Sequence, residues 1–112
     1  MIGKHVHVIV DRPIGSYHPK YKDSVYHVNY GVVLNIDGDP EKHMGAYILG
    51  VDKPIESFDG VVIAIIHRLD DVEDKLVVAK EGASYSKLEI GMLTHSQEKF
   101  FKIKIVTDEE SH

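Results

Sequence analysis

Four runs rich in β-branched residues, at 30–36, 46–51, 61–67 and 76–79, are each bounded by Gly, Pro or Asp and read as strands. No helix-length apolar pattern lies between them, so the crossovers that parallel neighbours need are missing and antiparallel pairing is expected. A fifth strand comes first. In Lys4-His5-Val6-His7-Val8-Ile9-Val10, alternation puts Val6, Val8 and Val10 on one face and His5 and His7 on the other, until Asp11-Arg12-Pro13 ends the run. Residues 14–23 read as irregular chain or a short edge strand, because Pro19 cannot donate to a central ladder. Late in the chain, Ser86-Lys87-Leu88-Glu89 has the capping-box form, and Leu88, Met92, Leu93 and Phe100 fall near one helical face. A helix from 86 to about 101 is predicted, followed by alternation in Phe101-Lys102-Ile103-Lys104-Ile105. The fold class is therefore mainly β, an OB-like distorted five-stranded barrel with one C-terminal helix. Such barrels host many unrelated functions.

At 112 residues the chain is expected to form a single domain, 1–112. Eighteen acidic against 13 basic residues give a formal net charge of -5, which argues against nucleic acid as a partner, since phosphate neutralisation needs a basic surface. No apolar run approaches the roughly 20 residues that span a bilayer, so no membrane partner is expected. The start carries no secretory pattern and there is no cysteine, which makes the cytoplasm the expected location. Part of the acidity sits in Asp108-Glu109-Glu110, expected to be a frayed tail.

Two dense carboxylate groups stand at strand ends, Asp37/Asp39/Glu41 and Asp70/Asp71/Glu73/Asp74. Magnesium prefers oxygen ligands and is usually held by one or two carboxylates plus substrate phosphates, so two acidic loops at one barrel mouth could cradle Mg2+ and phosphate together. Asp-Gly is also a common turn pair, and acid-rich loops keep strand edges soluble. Lys20 and Lys75 could neutralise phosphate oxygens or form surface ion pairs. Tyr26 and Tyr30, four apart, could donate hydroxyls to phosphate or pack in the core.

The ordered segments "VIVDRP", "YHVNYG", "DGDP", "AYILGV", "VIAIIHRLDDVEDKLVVA" and "THSQEKFF" resemble the soluble, magnesium-dependent inorganic pyrophosphatases of family I, in a shortened and partly degenerate form. The resemblance runs from about Val6 to Phe101. It implies a distorted OB-like barrel that hydrolyses pyrophosphate to two phosphates with Mg2+ as cofactor. Carried over by position, Asp39 is the implied proton acceptor. Lys20, Tyr26, Tyr30 and Lys75 are implied substrate-binding residues, and Asp37, Asp39, Asp70, Asp71, Glu73 and Asp74 implied metal ligands. Asp11 matches the acid of the family's Glu-x-Pro element.

Departures accompany the match. After Asp-Gly-Asp-Pro the family's next aspartate is absent, since Glu41, Lys42, His43, Met44 and Gly45 follow, and its Tyr-Lys pair near the helix end stands here as Phe100-Phe101. Arg12 and Arg68 are the only arginines, so a weaker substrate grip is expected. The expected partners are pyrophosphate and phosphate. The alternative is a catalytically inactive pyrophosphatase-like binding or assembly module, and a third is another small diphosphate as substrate. Residues 101–106 could form the edge of a homo-oligomer.

Overall fold

A computed structural model describes residues 1–71 and 73–107. The elements run β1 (His5–Arg12), β2 (Asn29–Leu34), β3 (His43–Ile48), β4 (Ser57–Arg68), β5 (Asp74–Ala79), α1 (Lys87–Glu98) and β6 (Ile103–Thr107). The first five strands form a closed barrel in the order β1-β2-β3-β5-β4, with β4 returning to β1, and β6 adds to the outside of β4. The mainly β, OB-like expectation holds. One seam departs from the antiparallel expectation: β3 and β5 pair in parallel, Ala46 opposite Leu76 and Ile48 opposite Val78. The strands alternate in direction along the chain, so the third and fifth run the same way, and no helix is needed to join them because β4 makes the return.

Alternation sorts the barrel strands as read from sequence. On β1, Val8 is fully buried while His5 and His7 face outward, where His7 Nδ1 lies 2.7 Å from an Asp59 carboxylate oxygen. One core cluster, including Val8, Ala46, Ile48, Val62, Leu76 and Val78, fills the barrel. A second, including Tyr26, Tyr47, Leu49, Ala64, Ile66, Val77 and Ile90, fills the space under α1. β5 lies between both clusters, which is why "LVVA" reads as a continuous apolar run.

Ser86 caps α1 as expected: its Oγ accepts from Glu89 N–H and the Glu89 carboxylate accepts from Ser86 N–H. The face it buries is not the apolar one read from sequence. Leu88 and Met92 are exposed, whereas Ile90, Thr94, Gln97 and Glu98 are buried. The helix ends at Glu98, with the Lys99 N–H closing the last turn on His95 O and the Phe101 N–H bonding Glu98 O, and the chain then runs through 99–102 to β6. The edge of β6 away from β4 pairs with no strand among the described residues. No helix among them is long and apolar enough to cross a membrane. The acid-rich tail at 108–110 lies outside the described residues.

Candidate functional site

The chain bends at 27–28, just before β2, and this brings the Tyr26 and Tyr30 rings together in a stack with centroids 5.5 Å apart. Tyr47 on β3 extends the stack, its centroid 4.9 Å from that of Tyr30. The stack forms the floor of a cleft of about 220 Å³. Its walls come from Asp11 and Arg12 at the end of β1, His18, Pro19 and Tyr21 in the following loop, Arg68 at the end of β4, Glu73 and Lys75 around the start of β5, and Gln97 and Phe101 near the end of α1. A second hollow of about 440 Å³ shares Asp11, Tyr30, Glu73 and Lys75 and continues over His43, Gly45 and Asp74.

Two positive groups of this cleft, Arg68 and Lys75, are held by carboxylates. Arg68 donates from Nε to Glu98 Oε1 at 3.0 Å and from Nη2 to Oε2 at 2.6 Å, and its guanidinium lies 3.9 Å from the Phe101 ring centroid. Tyr47 donates to the same Glu98 Oε2 at 2.6 Å. Burial disfavours the charged guanidinium, but the Glu98 hydrogen bonds and charge outweigh it and hold Arg68 above its ordinary value. Burial together with the Glu98 charge pushes the Tyr47 hydroxyl well up. Lys75, nearly buried, donates to Glu73 Oε2 at 3.0 Å and lies 5.8 Å from the Tyr30 centroid. Burial again opposes its charge, yet Tyr30 and Glu73 raise it on balance. Tyr26 is pushed up to about 12 by burial and then by Tyr30, so at neutral pH it is a hydroxyl donor.

Gly45 gives the floor its shape. A Cβ built there would come within 2.0 Å of the Tyr30 hydroxyl, and Tyr30 is wedged between Tyr26 and Tyr47. Gly45→Ala is therefore expected to destabilise the fold by about 1–3 kcal/mol through overpacking. A urea melt reads this, and an unchanged midpoint would mean that Tyr30 yields freely.

The residues singled out from sequence divide into those the structure gathers and those it leaves apart. Tyr26, Tyr30, Glu73 and Lys75 line the first cleft together with Asp11, and Asp74 lines the adjoining hollow, where it also meets His67 Nδ1 at 3.0 Å. Lys20 is exposed, with its ammonium 5.5 Å from the Tyr21 centroid, while its neighbours Pro19 and Tyr21 line the cleft. Asp70 accepts from Lys102 N–H at 3.1 Å, and Asp71 lies 3.9 Å from Arg68 Nη1. Val72, inside that run, lies outside the described residues.

Asp37 and Asp39 line neither hollow. They belong to the β2–β3 connection, where Asn35, Asp37 and Gly38 all adopt positive φ, a conformation that Asn, Asp and Gly tolerate best. Asp37 lies 3.9 Å from the Lys4 ammonium and 3.6 Å from that of Lys42, and Asp39 accepts from Glu41 N–H at 2.9 Å. Both side chains are exposed there. Among the described residues no group of three or more His, Asp or Glu side chains is placed to hold a metal ion. The donor set does not fit a resident cluster of several ions; what it offers is Asp11 and Glu73 at one mouth.

Residues the sequence did not single out for the site include Arg12, Arg68, His18, Tyr47, Gln97, Glu98 and Phe101. A signal existed for the two arginines: among 13 basic residues only these two are arginine, and both line the cleft.

No family model matches the sequence, and no curated protein matches it. Solved structures match its fold. An inorganic pyrophosphatase from Coxiella burnetii superimposes with a TM-score of 0.64 at 17% identity, over 99% of this chain and 90% of that one. One from Ehrlichia chaffeensis gives 0.65 at 11% identity, over 96% and 88%. One from Helicobacter pylori gives 0.60 at 17%, over 95% and 86%. At such identities the likeness is one of fold.

Proposed function

We propose that this chain binds inorganic pyrophosphate, as its magnesium complex, in the tyrosine-floored cleft and hydrolyses it to two phosphates. The observation that carries the reading is the convergence of Arg12, Arg68, Lys75, Tyr26 and Tyr30 on one cleft with Asp11 and Glu73 at its mouth. The fold it shares with inorganic pyrophosphatases supports it. Magnesium belongs here to the substrate, held by its phosphates and by one or two carboxylates, a role open to Asp11 and Glu73.

The chain's own groups supply the rest. Lys75 and Arg12 neutralise phosphoryl oxygens, Tyr26 and Tyr30 donate hydroxyl hydrogens, and Arg68 presents a guanidinium that Glu98 keeps in place. Water attacks one phosphorus, its proton passes to a carboxylate, and the bridging P–O bond breaks to release the second phosphate. Asp39, the acceptor implied by resemblance, lies in the β2–β3 connection, so the acceptor in this reading is Asp11.

A second reading, a binding module without turnover, is favoured by the absence, among the described residues, of three acids or histidines grouped to hold one metal ion. Phosphate release from pyrophosphate, followed with and without Mg2+ beside a thermal melt, separates the two. Release above background that requires Mg2+ is the expected result. A raised melting temperature with flat release would leave the binding module, and no change in either would remove both. Other small diphosphates, assayed in parallel, define how much of the substrate the cleft reads.

A further inference from the structure

The loop between β1 and β2 folds back through the Tyr17–Val25 bridge, and within it His18 is held at several points. Its backbone N–H donates to Ser24 O at 2.9 Å. Its ring Nδ1 accepts from two backbone amides, Lys20 N–H at 3.0 Å and Tyr21 N–H at 3.2 Å. The ring lies 5.0 Å from that of Tyr21 and 6.2 Å, nearly parallel, from that of Tyr26, and it lines the cleft.

Backbone amides always carry their hydrogen, so an imidazole nitrogen that accepts from two of them must present its lone pair. The proton of the neutral ring then sits on Nε2. Turning the ring over would sacrifice both amide bonds, and protonating Nδ1 would set a third N–H against the two already there. Nε2 has no hydrogen-bond partner among the described residues, although the ring borders a cleft shared with Arg12, Arg68, Lys75, Asp11, Glu73, Tyr26 and Tyr30.

We propose that His18 is a fixed neutral donor whose Nε2–H binds a phosphoryl oxygen of the cleft's ligand, a ligand-binding residue that exchanges no proton. Only the identity of that ligand rests on the diphosphate reading above. The electrostatics agree: burial, then Arg12, Arg68 and Lys20, lower the pKa of His18. A folded pKa below the unfolded value keeps the ring neutral at pH 7, and the stability this contributes is lost only as pH falls below about 6.5. A general base at this position would need the lone pair on Nε2, which the two amides deny it.

The test is long-range ¹⁵N–¹H correlation of the histidine rings at pH 7, before and after adding imidodiphosphate with Mg2+. A neutral His18 with its hydrogen on Nε2, whose resonances move on titration, is the expected result. An Nδ1–H tautomer or an imidazolium overturns the proposal. So does movement of Lys75 and Tyr30 resonances without His18, which would leave the diphosphate reading intact, whereas stillness throughout the cleft removes both. In parallel, His18→Gln, whose amide reaches the Nε2 position, should hold imidodiphosphate within about threefold of wild type, and His18→Phe, which keeps the ring but not the donor, should bind about tenfold more weakly. Equal affinity in His18→Phe and wild type also overturns it.

Discussion

Replacing Glu98 with alanine is expected to destabilise the protein by about 3–5 kcal/mol, the cost of stripping one partner from a buried ion pair. Glu98 is 2% exposed and its two oxygens serve three donor atoms: Arg68 Nε, Arg68 Nη2 and the Tyr47 hydroxyl. Removing it leaves a guanidinium and a buried hydroxyl unpaired at once. For a chain of this size the loss lowers the melting temperature by upwards of about 12 °C. The origin of the effect is checked by a compensated variant, Tyr47→Phe with Arg68→Met and Glu98→Leu, which removes every polar member together. Most of the stability should return, because an apolar replacement of a complete buried network is often neutral, while a ligand grip that depends on Arg68 stays lost. If Glu98→Ala alone melts within about 1 kcal/mol of wild type, the network does not hold α1 to the barrel.

The same network marks where sequence reading stops. The barrel was legible because each strand announces itself locally: Val6, Val8 and Val10 alternate, "LVVA" is apolar on both faces, and Gly, Pro and Asp punctuate the runs. The parallel seam between β3 and β5 was not, since it follows from closing an odd number of alternating strands rather than from any segment. The helix was legible at its start, where the capping box is a four-residue affair, and misread along its face. Helical periodicity picked Leu88 and Met92 for the interior, but α1 packs Ile90 on the second core cluster, and at its last turn Gln97 and Glu98 find polar partners. Gln97 Nε2 donates to Ser24 Oγ at 3.0 Å and Val25 O at 2.9 Å, tying the His18 loop to the helix across more than seventy residues of chain. Such bonds have no local signature.

The site divides along the same line. Tyr26, Tyr30 and Lys75, singled out by motif order, line the cleft, as does Asp11, which stands two residues before a proline at the end of the first strand. Asp37 and Asp39 drew attention for the same reason, yet their turn places them among Lys4 and Lys42 rather than in either hollow. Arg68 and Arg12 were visible only as rare residues, and their convergence needed the barrel to close.

That division sets the second large expectation. Lys75→Met should lower kcat/KM for magnesium pyrophosphate by about 100-fold, because one charge-assisted contact to a transferring phosphoryl group is worth about 3 kcal/mol in the transition state. The fold should tolerate it: methionine refills a nearly buried position, and the abandoned partner, Glu73, is 61% exposed and stays hydrated. Asp11→Asn should cause a loss of similar size, since it removes the carboxylate assigned to the water proton. On the proposed reading Asp39→Asn should stay within about twofold of wild type, since its carboxylate accepts from Glu41 N–H within an exposed turn. Measured side by side, with melts to exclude unfolding, the three variants distinguish the place of the chemistry. The opposite pattern, with Asp39→Asn inactive and Asp11→Asn near wild type, would move the reacting carboxylate to the β2–β3 connection and require that loop to close over the cleft when substrate binds.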